Sequence, residues 1–139
     1  MIIFGQKLGK PSDPYMQRWV LDFYFFSIRL HRWFYGDDIR AFHDHPWNFW
    51  SLVLSGQITD ISDAGKFTRG AGTLLYFKAE HKHTIQTTGC WTLLVTGKPI
   101  RDWGFWVNGK FKKRNRYFYD FGHHNRDNTT YRRGNNEDY

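Results

Sequence analysis

Cysteine and long apolar runs are both scarce in this chain of 139 residues. The single cysteine, Cys90, excludes an intrachain disulfide and fits a reducing compartment, which predicts a cytoplasmic location. We expect Cys90 itself to be a small buried hydrophobic residue rather than a nucleophile. No stretch of roughly 18 or more apolar residues and no charged-then-apolar N-terminus is present, so neither a membrane span nor a signal peptide is expected.

Aromatic residues, by contrast, are abundant. They make up 20% of the sequence and include seven tryptophans, and such side chains favour pleated sheets over helices. The dipeptide Asn108-Gly109 and the segment Asp63-Ala64-Gly65 have the chemistry of hairpin turns. Many short strands without a long helical period indicate an all-β sandwich or jelly roll. Strands are predicted over 16–26, 27–35, 41–54, 57–61, 73–78, 84–88, 91–96, 103–107 and 116–121, with a short helix over 15–21 as an alternative.

One domain is expected for a chain of this length. The segment 5–14 is rich in turn residues and predicts a loop, so residues 1–14 form an N-terminal arm and residues 15–121 form the barrel domain. Residues 122–139 have almost no aliphatic side chains and cannot offset the entropy of ordering by burial. They are predicted to be a flexible polar C-terminal tail.

The formal net charge is +7, and the tail contributes none of it. The excess is concentrated between Gly109 and Tyr117 in one basic segment. Such a patch attracts phosphates, nucleotides or nucleic acid, although a solvated edge strand that prevents aggregation is the more common explanation. The basic residues of this segment are Lys110, Lys112, Lys113, Arg114 and Arg116.

Three histidines form the pattern with the clearest chemical meaning. His43 and His45 are two residues apart, so on a strand their imidazoles point the same way and can share one ion. His83 is the candidate for a third nitrogen from a distant strand. The pattern predicts one divalent metal ion (iron, manganese, nickel or zinc) inside a small β-barrel. A pair of hydrogen-bonded histidines in a polar cavity is the alternative.

The segment Phe42-His43-Asp44-His45, followed by Gly56, Gly72 and His83, resembles the two motifs of the cupin superfamily. The extended segment His-Asp-His-Pro-Trp and the later run 102–106 are similar to a subgroup of small single-domain cupins. The resemblance covers roughly residues 15–120 and implies a cupin-type jelly-roll barrel, also called a double-stranded β-helix. It also implies metal-dependent chemistry, most readily of the oxygenase type.

The sequence departs from the cupin pattern at two places. Cupins usually carry a glutamate four or five residues after the second histidine, but Phe49 and Trp50 occupy those positions. The proline and glycine of the second motif are replaced by Lys78 and Glu80. Glu80, or failing it His81, is therefore the candidate for the missing ligand, with His43, His45 and His83 as the others.

Three functions compete at this level. The first is a metal-binding cupin, favoured as an enzyme of dioxygenase-like or isomerase type, that acts on a small or nucleotide-like anionic molecule. The second is a metal-free isomerase or epimerase of sugar nucleotides, with His43 and His45 as proton carriers. In both of these functions Arg40 suits an anionic substrate group. The catalytic candidates are therefore His43, His45 and Arg40. The third is a non-enzymatic module that binds nucleotides or nucleic acid through the basic segment.

A homodimer is expected from the second face of the strand that follows the histidines. Trp50, Leu52 and Leu54 alternate with the inward positions and therefore face away from the proposed cavity. An apolar stripe of this size needs a cover, either a second sheet of the same chain or a second copy. No membrane partner is expected.

Overall fold

A computed structural model describes residues 1–36 and 42–114 of the protein. These residues form eleven strands, and every strand pair is antiparallel. The strands are β1 (Ile2–Lys10), β2 (Asp13–Asp22), β3 (Ser27–Trp33), β4 (Phe42–His43), β5 (Phe49–Ser62), β6 (Gly65–Gly70), β7 (Leu74–Phe77), β8 (Thr84–Gln86), β9 (Cys90–Thr96), β10 (Gly104–Val107) and β11 (Lys110–Lys113).

The strands form two sheets that enclose one cavity. The larger sheet has the order β1-β2-β3-β9-β5-β6, and β7 and β8 also pair with β5. The smaller sheet has the order β11-β10-β4. An isolated bridge between His43 and His83 joins the smaller sheet to the chain that leads into β8. The predicted all-β jelly-roll barrel is confirmed.

The long strand β5 connects the two halves of the barrel. Its first part pairs with β7 and β9, and its second part pairs with β6 and β8. A register shift between Val53 and Ser55 interrupts the pairing with β9. Before this bulge the buried positions are odd-numbered, such as Phe49 and Val53, and after it they are even-numbered, such as Ile58 and Asp60. The separate strands predicted over 41–54 and 57–61 thus meet in one bent strand.

The N-terminal segment differs from its expected loop conformation. Residues 5–14 belong mostly to β1 and β2, which pair from Ile2 with Leu21 to Lys10 with Asp13. Register shifts in this pair fall beside Gly5 and Gly9, which have φ values of 65° and 100°. Glycine tolerates such values, so the glycines that suggest a loop instead form bulges in a continuous ladder. The short helix considered over 15–21 is strand β2.

Within the described residues, two clusters of buried apolar side chains lie inside the barrel. The first contains Val53, Ile58, Ile85 and Cys90, and Trp33 packs against it. The predicted buried role of Cys90 is confirmed, since its side chain is only 4% exposed. The second cluster lies toward the histidines and consists of Phe49, Phe77 and Leu94, with Trp47 and Leu75 packed against it. The core therefore lines the inner wall on which the candidate site is built.

Both predicted hairpin turns are present. Asp63, Ala64 and Gly65 connect β5 to β6, and Asn108-Gly109 connects β10 to β11. Asn108 and Gly109 have φ values of 52° and 75°, as a type I′ turn requires. The lysines that follow belong to strand β11.

Several sequence predictions fall outside the described residues. They concern Arg40, the strand over 116–121 and the tail over 122–139. Within residues 1–36 and 42–114, the structure contains no helix with the length and apolar character needed to cross a membrane.

Gly56 offers a test of the bend in β5. It has a φ of 77°, and a Cβ added to it would overlap the carbonyl oxygen of Gly89. We expect Gly56→Ala to lower the free energy of unfolding by about 2 kcal/mol or more, because backbone strain and steric overlap add. Urea denaturation measures the loss. Gly70→Ala is the matched control, since a Cβ there meets no atom within 4 Å. Equal stability of the two variants would contradict the role of Gly56.

Candidate metal centre

Three histidines converge where the two sheets meet. His43, at the end of β4, exchanges backbone hydrogen bonds with His83: its N–H donates to the His83 carbonyl at 2.8 Å and its carbonyl accepts at 3.0 Å. The backbone N–H of His45 donates to the carbonyl of Ala79 at 3.0 Å. Two segments distant in sequence are thus tied together by their main chains, so the three imidazoles are placed by backbone hydrogen bonds.

The path between His43 and β5 is not the continuous strand predicted over 41–54. β4 ends at His43, and regular pairing resumes only at Phe49. Pro46 has no N–H to donate to a ladder, so the strand cannot continue through it. The carbonyl of Pro46 accepts from Ile100 at 2.8 Å. The imidazoles of His43 and His45 still converge, with ring centroids 5.1 Å apart.

A buried carboxylate fixes the tautomer of His83. Its Nδ1 lies 2.5 Å from Oδ2 of Asp60. An ionised carboxylate only accepts hydrogen bonds, so Nδ1 carries the proton and donates it to Asp60. The lone pair of His83 is then on Nε2, which lies 3.2 Å from Nε2 of His45. Asp60 therefore directs a basic nitrogen toward the other histidines.

Two overlapping groups have ligand atoms that all lie within 4.8 Å of one another: His43, His45 and His83 in one, and Asp60, His81 and His83 in the other. The first group lines a cavity of about 560 Å³, whereas neither Asp60 nor His81 lines it. The Nε2 of His81 lies 3.3 Å from Oδ1 of Asp60. The first group thus faces the space open to a ligand, and the second lies behind it.

Burial keeps the imidazoles of His43 and His45 uncharged. It lowers the pKa of His43 to about 4, although the Asp44 and Asp60 carboxylates oppose the change. Burial, together with the nearby His83 and His43, places the pKa of His45 well below its ordinary value of 6.5. For Asp60, burial alone would raise the pKa, but the hydrogen bonds from His81 and His83 outweigh it and lower the pKa below its usual range. Neutral imidazoles near an ionised carboxylate are the protonation states that metal binding requires.

Aromatic rings hold the imidazoles in place. The ring of His45 stacks on Trp47 with centroids 5.9 Å apart and packs against Phe49 at 4.7 Å. Phe49 occupies a position at which cupins usually carry a glutamate, and it is buried against Phe77. The side chain at the customary carboxylate position thus supports a histidine through packing. The charge is supplied instead by Asp60.

Glu80 is not brought to the histidines. Its side chain is exposed, and it belongs to neither group of potential ligands. His81, the other candidate, contacts Asp60 and belongs only to the second group. Sequence reasoning missed Asp60 because the bulge in β5 reverses the inward parity before it is reached. The sequence contains one signal for it: Asp60 lies two positions after Ile58, so on a strand both side chains point to the same side.

Asp44, between the two histidines, has a structural role. It is 1% exposed and accepts hydrogen bonds from the Gly104 N–H at 2.8 Å and from Trp106 Nε1 at 3.0 Å. Its carboxylate also pairs with Arg101 at 2.8 Å. Through these bonds Asp44 anchors β10 and the Arg101 side chain beside the cavity that it also lines.

The donor set fits a divalent transition metal. Two nitrogens each about 2.1 Å from one tetrahedral ion are about 3.4 Å apart, close to the separation of the His45 and His83 nitrogens. A carboxylate that orients a ligating histidine through its other nitrogen is the usual outer partner in such centres. The His and Asp groups at this position could therefore hold a metal ion.

The buried histidines predict a stability loss in mild acid for the metal-free protein. Burial lowers the pKa of His31 to about 3, and that of His43 to about 4, from the ordinary value of 6.5. Between pH 6.5 and 4 the unfolded chain therefore binds protons that the folded chain does not, and stability falls as the pH falls. Each such histidine contributes up to about 1.4 kcal/mol per pH unit.

Urea denaturation at pH 7, 5.5 and 4 measures this slope. His31→Phe should make it shallower, because one proton-binding difference is removed. The same slope in wild type and variant would show that His31 is not the source. Protonation of carboxylates also lowers stability in acid, but mainly below pH 4, so it can be separated from the effect of the histidines.

Comparisons with known proteins support the fold. No protein-family model matches the sequence, and no curated protein matches it. Among solved structures, the chain is similar to a Klebsiella pneumoniae protein with a double-stranded β-helix domain: the TM-score is 0.56 and the identity 18%, over 70% of this chain and 89% of that one.

Two further structures have the same fold. The cupin-2 domain of an XRE family transcriptional regulator from Enterobacter cloacae matches with a TM-score of 0.50 and 13% identity, over 62% of this chain and 99% of that domain. The crystal structure of FeII HppE matches with a TM-score of 0.53 and 13% identity, over 66% of this chain; the present chain covers 54% of that protein. The barrel described above is therefore a cupin-type double-stranded β-helix.

Proposed function

We propose that the protein is a metal-dependent enzyme in which His43, His45 and His83 hold one divalent ion that acts on a small anionic molecule in the cavity. The observation that supports this most directly is the pair of Nε2 atoms of His45 and His83, 3.2 Å apart beside the cavity. Asp60 fixes the tautomer in which the lone pair of His83 is on Nε2, the nitrogen that faces His45.

Three protein ligands leave coordination positions open, as in catalytic metal sites. Phe49 keeps the usual carboxylate position apolar. The ion together with its ligands would therefore have a higher net charge than a centre of three histidines and a glutamate. When bound, the metal would supply Lewis-acid or redox chemistry, which suits an isomerase or an oxygenase-type reaction. The chain's own part is to orient the three imidazoles and to shield them with Trp47, Phe77 and Phe105.

Ferrous iron is the first metal to test. FeII HppE has a similar fold. Neutral imidazoles bind iron as well as zinc, manganese or nickel, so the residues alone do not choose among them. The free buried thiol of Cys90 suits the reducing cytoplasmic setting expected from the sequence.

A metal-free isomerase is supported less well. The chain of contacts from Asp60 through His83 to His45 resembles a proton relay. However, the low pKa values of His43 and His45 leave both rings unprotonated near neutral pH, so neither is a ready proton donor. Nucleic-acid binding by β11 is the other alternative, and salt-sensitive binding to oligonucleotides would reveal it.

Metal content tests the proposal directly. Untagged protein, stripped with EDTA and then reconstituted in turn with iron(II), manganese, nickel and zinc, should bind about one ion per chain. His45→Ala should abolish binding because it removes one of three ligands. Asp60→Asn should weaken it by about 10- to 100-fold, since the orientation and basicity of His83 depend on the carboxylate. Elemental analysis after gel filtration measures the stoichiometry.

Glu80→Gln is the matched control, because it neutralises an exposed carboxylate beside the same turn. It should leave metal affinity unchanged. Negligible metal in the wild type with all four ions would rule out the proposed centre. If Glu80→Gln lost as much metal affinity as Asp60→Asn, Glu80 would have to be assigned to the metal site.

We also propose that the outer face of the larger sheet pairs with a second copy of the chain. Strand register places exposed apolar side chains in one row across β2, β3, β9, β5 and β7. Five adjacent strands span about 20 Å, and the row is continuous with the stripe of Leu52 and Leu54. An uncovered row of this size favours self-association. Its members are Leu21, Ile28, Val95, Trp50 and Tyr76.

Light scattering during gel filtration at micromolar concentrations should therefore give the mass of a dimer. Trp50→Glu should shift it to a monomer, because a charge in the centre of an apolar interface is not solvated there. Lys66→Glu changes the charge on the exposed β6 hairpin and should have no effect. A monomeric wild type would refute the dimer.

A further inference from the structure

The cavity has a second polar region, formed on β2 and β3 away from the three histidines of the metal site. Arg18 on β2 is directly opposite His31 on β3, and Arg29 is two residues before His31 on the same face. All three line the cavity. His31 is only 8% exposed. The structure thus gives this buried histidine cationic neighbours and a place in the cavity lining.

Arg69 extends this region from β6. It is 3% exposed, and its guanidinium donates to the Ser51 carbonyl at 3.1 Å and to the Ser51 hydroxyl at 3.3 Å. Ser51 pairs with Leu94, and Leu94 pairs with Arg29, so Arg29 and Ser51 lie two strand spacings apart, about 10 Å. Two arginine side chains can meet over such a distance. Arg69 and Arg29 both line the cavity, and their strand positions are close enough for one ligand to contact both.

Two buried nitrogens in this region have no hydrogen-bond partner among the described residues. They are Nε2 of His31 and Nε of Arg69. Buried polar atoms are nearly always paired, and leaving one unpaired is destabilising. Both residues line the cavity, but these two atoms have almost no accessible surface, so a bound molecule could accept from them only after a small side-chain rotation.

The charges of the cavity lining are unbalanced. Arg18, Arg29, Arg69 and Arg114 line it, whereas Asp44 is the one carboxylate among its described lining residues. Asp44 already binds Arg101. The carboxylate of Asp22 reaches Arg29 only at 4.0 Å.

The pKa values are consistent with a positive field. Burial, reinforced by the charge of Arg18, lowers the pKa of Arg29 to about 10. The pKa of His31 is lowered first by burial and then by the charges of Arg29 and Arg18. Cations packed together in a low-dielectric site repel one another, and an anion between them would relieve the repulsion.

We infer that this region is an oxyanion subsite, in which Arg29, Arg69 and His31 bind the carboxylate or phosphate group of a small organic ligand. A guanidinium suits both groups because its planar N–H donors match two oxygens at once. The inference names the substrate class of the proposed enzyme and in that sense rests on it. Binding of the anion itself does not require the metal.

Aromatic rings connect the subsite to the metal-binding histidines. The guanidinium of Arg29 lies 4.9 Å from the centroid of Trp47, which stacks on His45. That of Arg69 lies 5.4 Å from Phe77, whose ring is 5.8 Å from His83. Each arginine is thus separated from a metal-binding histidine by one ring. A ligand with a flat apolar body could lie along these rings, with its anionic group at the arginines and its other end at the metal.

Binding of simple anions to the metal-stripped protein tests the inference. Benzoate and phenyl phosphate provide the two oxyanions on the same ring, and benzyl alcohol is the neutral analogue. Isothermal titration should show saturable binding of at least one anion and binding of the alcohol at least about tenfold weaker. Arg29→Gln and Arg69→Met should each raise the Kd about tenfold or more, as expected for hydrogen bonds to a charged group. The anion that binds more tightly shows whether the subsite prefers a carboxylate or a phosphate.

Two variants control for total charge. Arg32→Gln removes a charge from the outer face of the same strand, where the side chain is exposed, and Lys113→Gln removes one from the basic β11. Neither should change the Kd. No saturable binding of either anion, or equal affinity in Arg29→Gln and wild type, would overturn the inference. Arg29→Gln keeps the test valid if Arg69→Met does not fold, which thermal melting will show.

Metal analysis of the same samples separates this inference from the proposed function. Anion binding without metal binding would leave the subsite standing and refute the metal centre. Metal binding without anion binding would support the metal centre and refute the subsite. Arg29→Gln should retain the metal content of the wild type, since Arg29 contacts no candidate ligand atom.

Discussion

The hydrogen bond between Asp60 and His83 is the interaction on which the candidate site depends. A carboxylate in a buried position is stable only when it is paired, and Asp60 accepts from both His81 and His83. The bond to His83 fixes one ring nitrogen as a donor and leaves the other as a base. Without it, His83 could adopt the opposite tautomer and present a proton to His45. The basic character of the histidine cluster therefore originates in a residue that does not face the cavity.

The position of Asp60 depends in turn on the bulge in β5. A strand of constant parity that buries Phe49 and Val53 would point position 60 outward, away from the histidines. The register shift between Val53 and Ser55 reverses the parity, and Gly56 follows in a conformation that favours glycine. A local irregularity of the backbone thus brings a carboxylate to the imidazoles.

The sequence pattern predicts that His43 and His45 converge and names His83 as a third ligand. In the structure the three imidazoles lie together, although the strand expected to align the first two ends at His43. The jelly-roll class followed from aromatic content and from turns such as Asn108-Gly109. The carboxylate could not be placed in the same way. Glu80 is close to His83 in sequence but is exposed, whereas Asp60 is 23 residues away and reaches His83 through cross-strand pairing. Partners defined by a bulge and by tertiary register leave little trace in the sequence.

The charge distribution of the cavity links its two ends. Burial keeps the imidazoles of His43 and His45 neutral, and Asp60 supplies negative charge from behind the cluster. A divalent ion on these nitrogens would add positive charge to a space already lined by Arg29 and Arg69. Such a cavity disfavours cationic ligands at both ends, while an anionic ligand compensates both charges at once. The proposed metal centre and the oxyanion subsite therefore favour the same class of molecule, although each can be tested without the other.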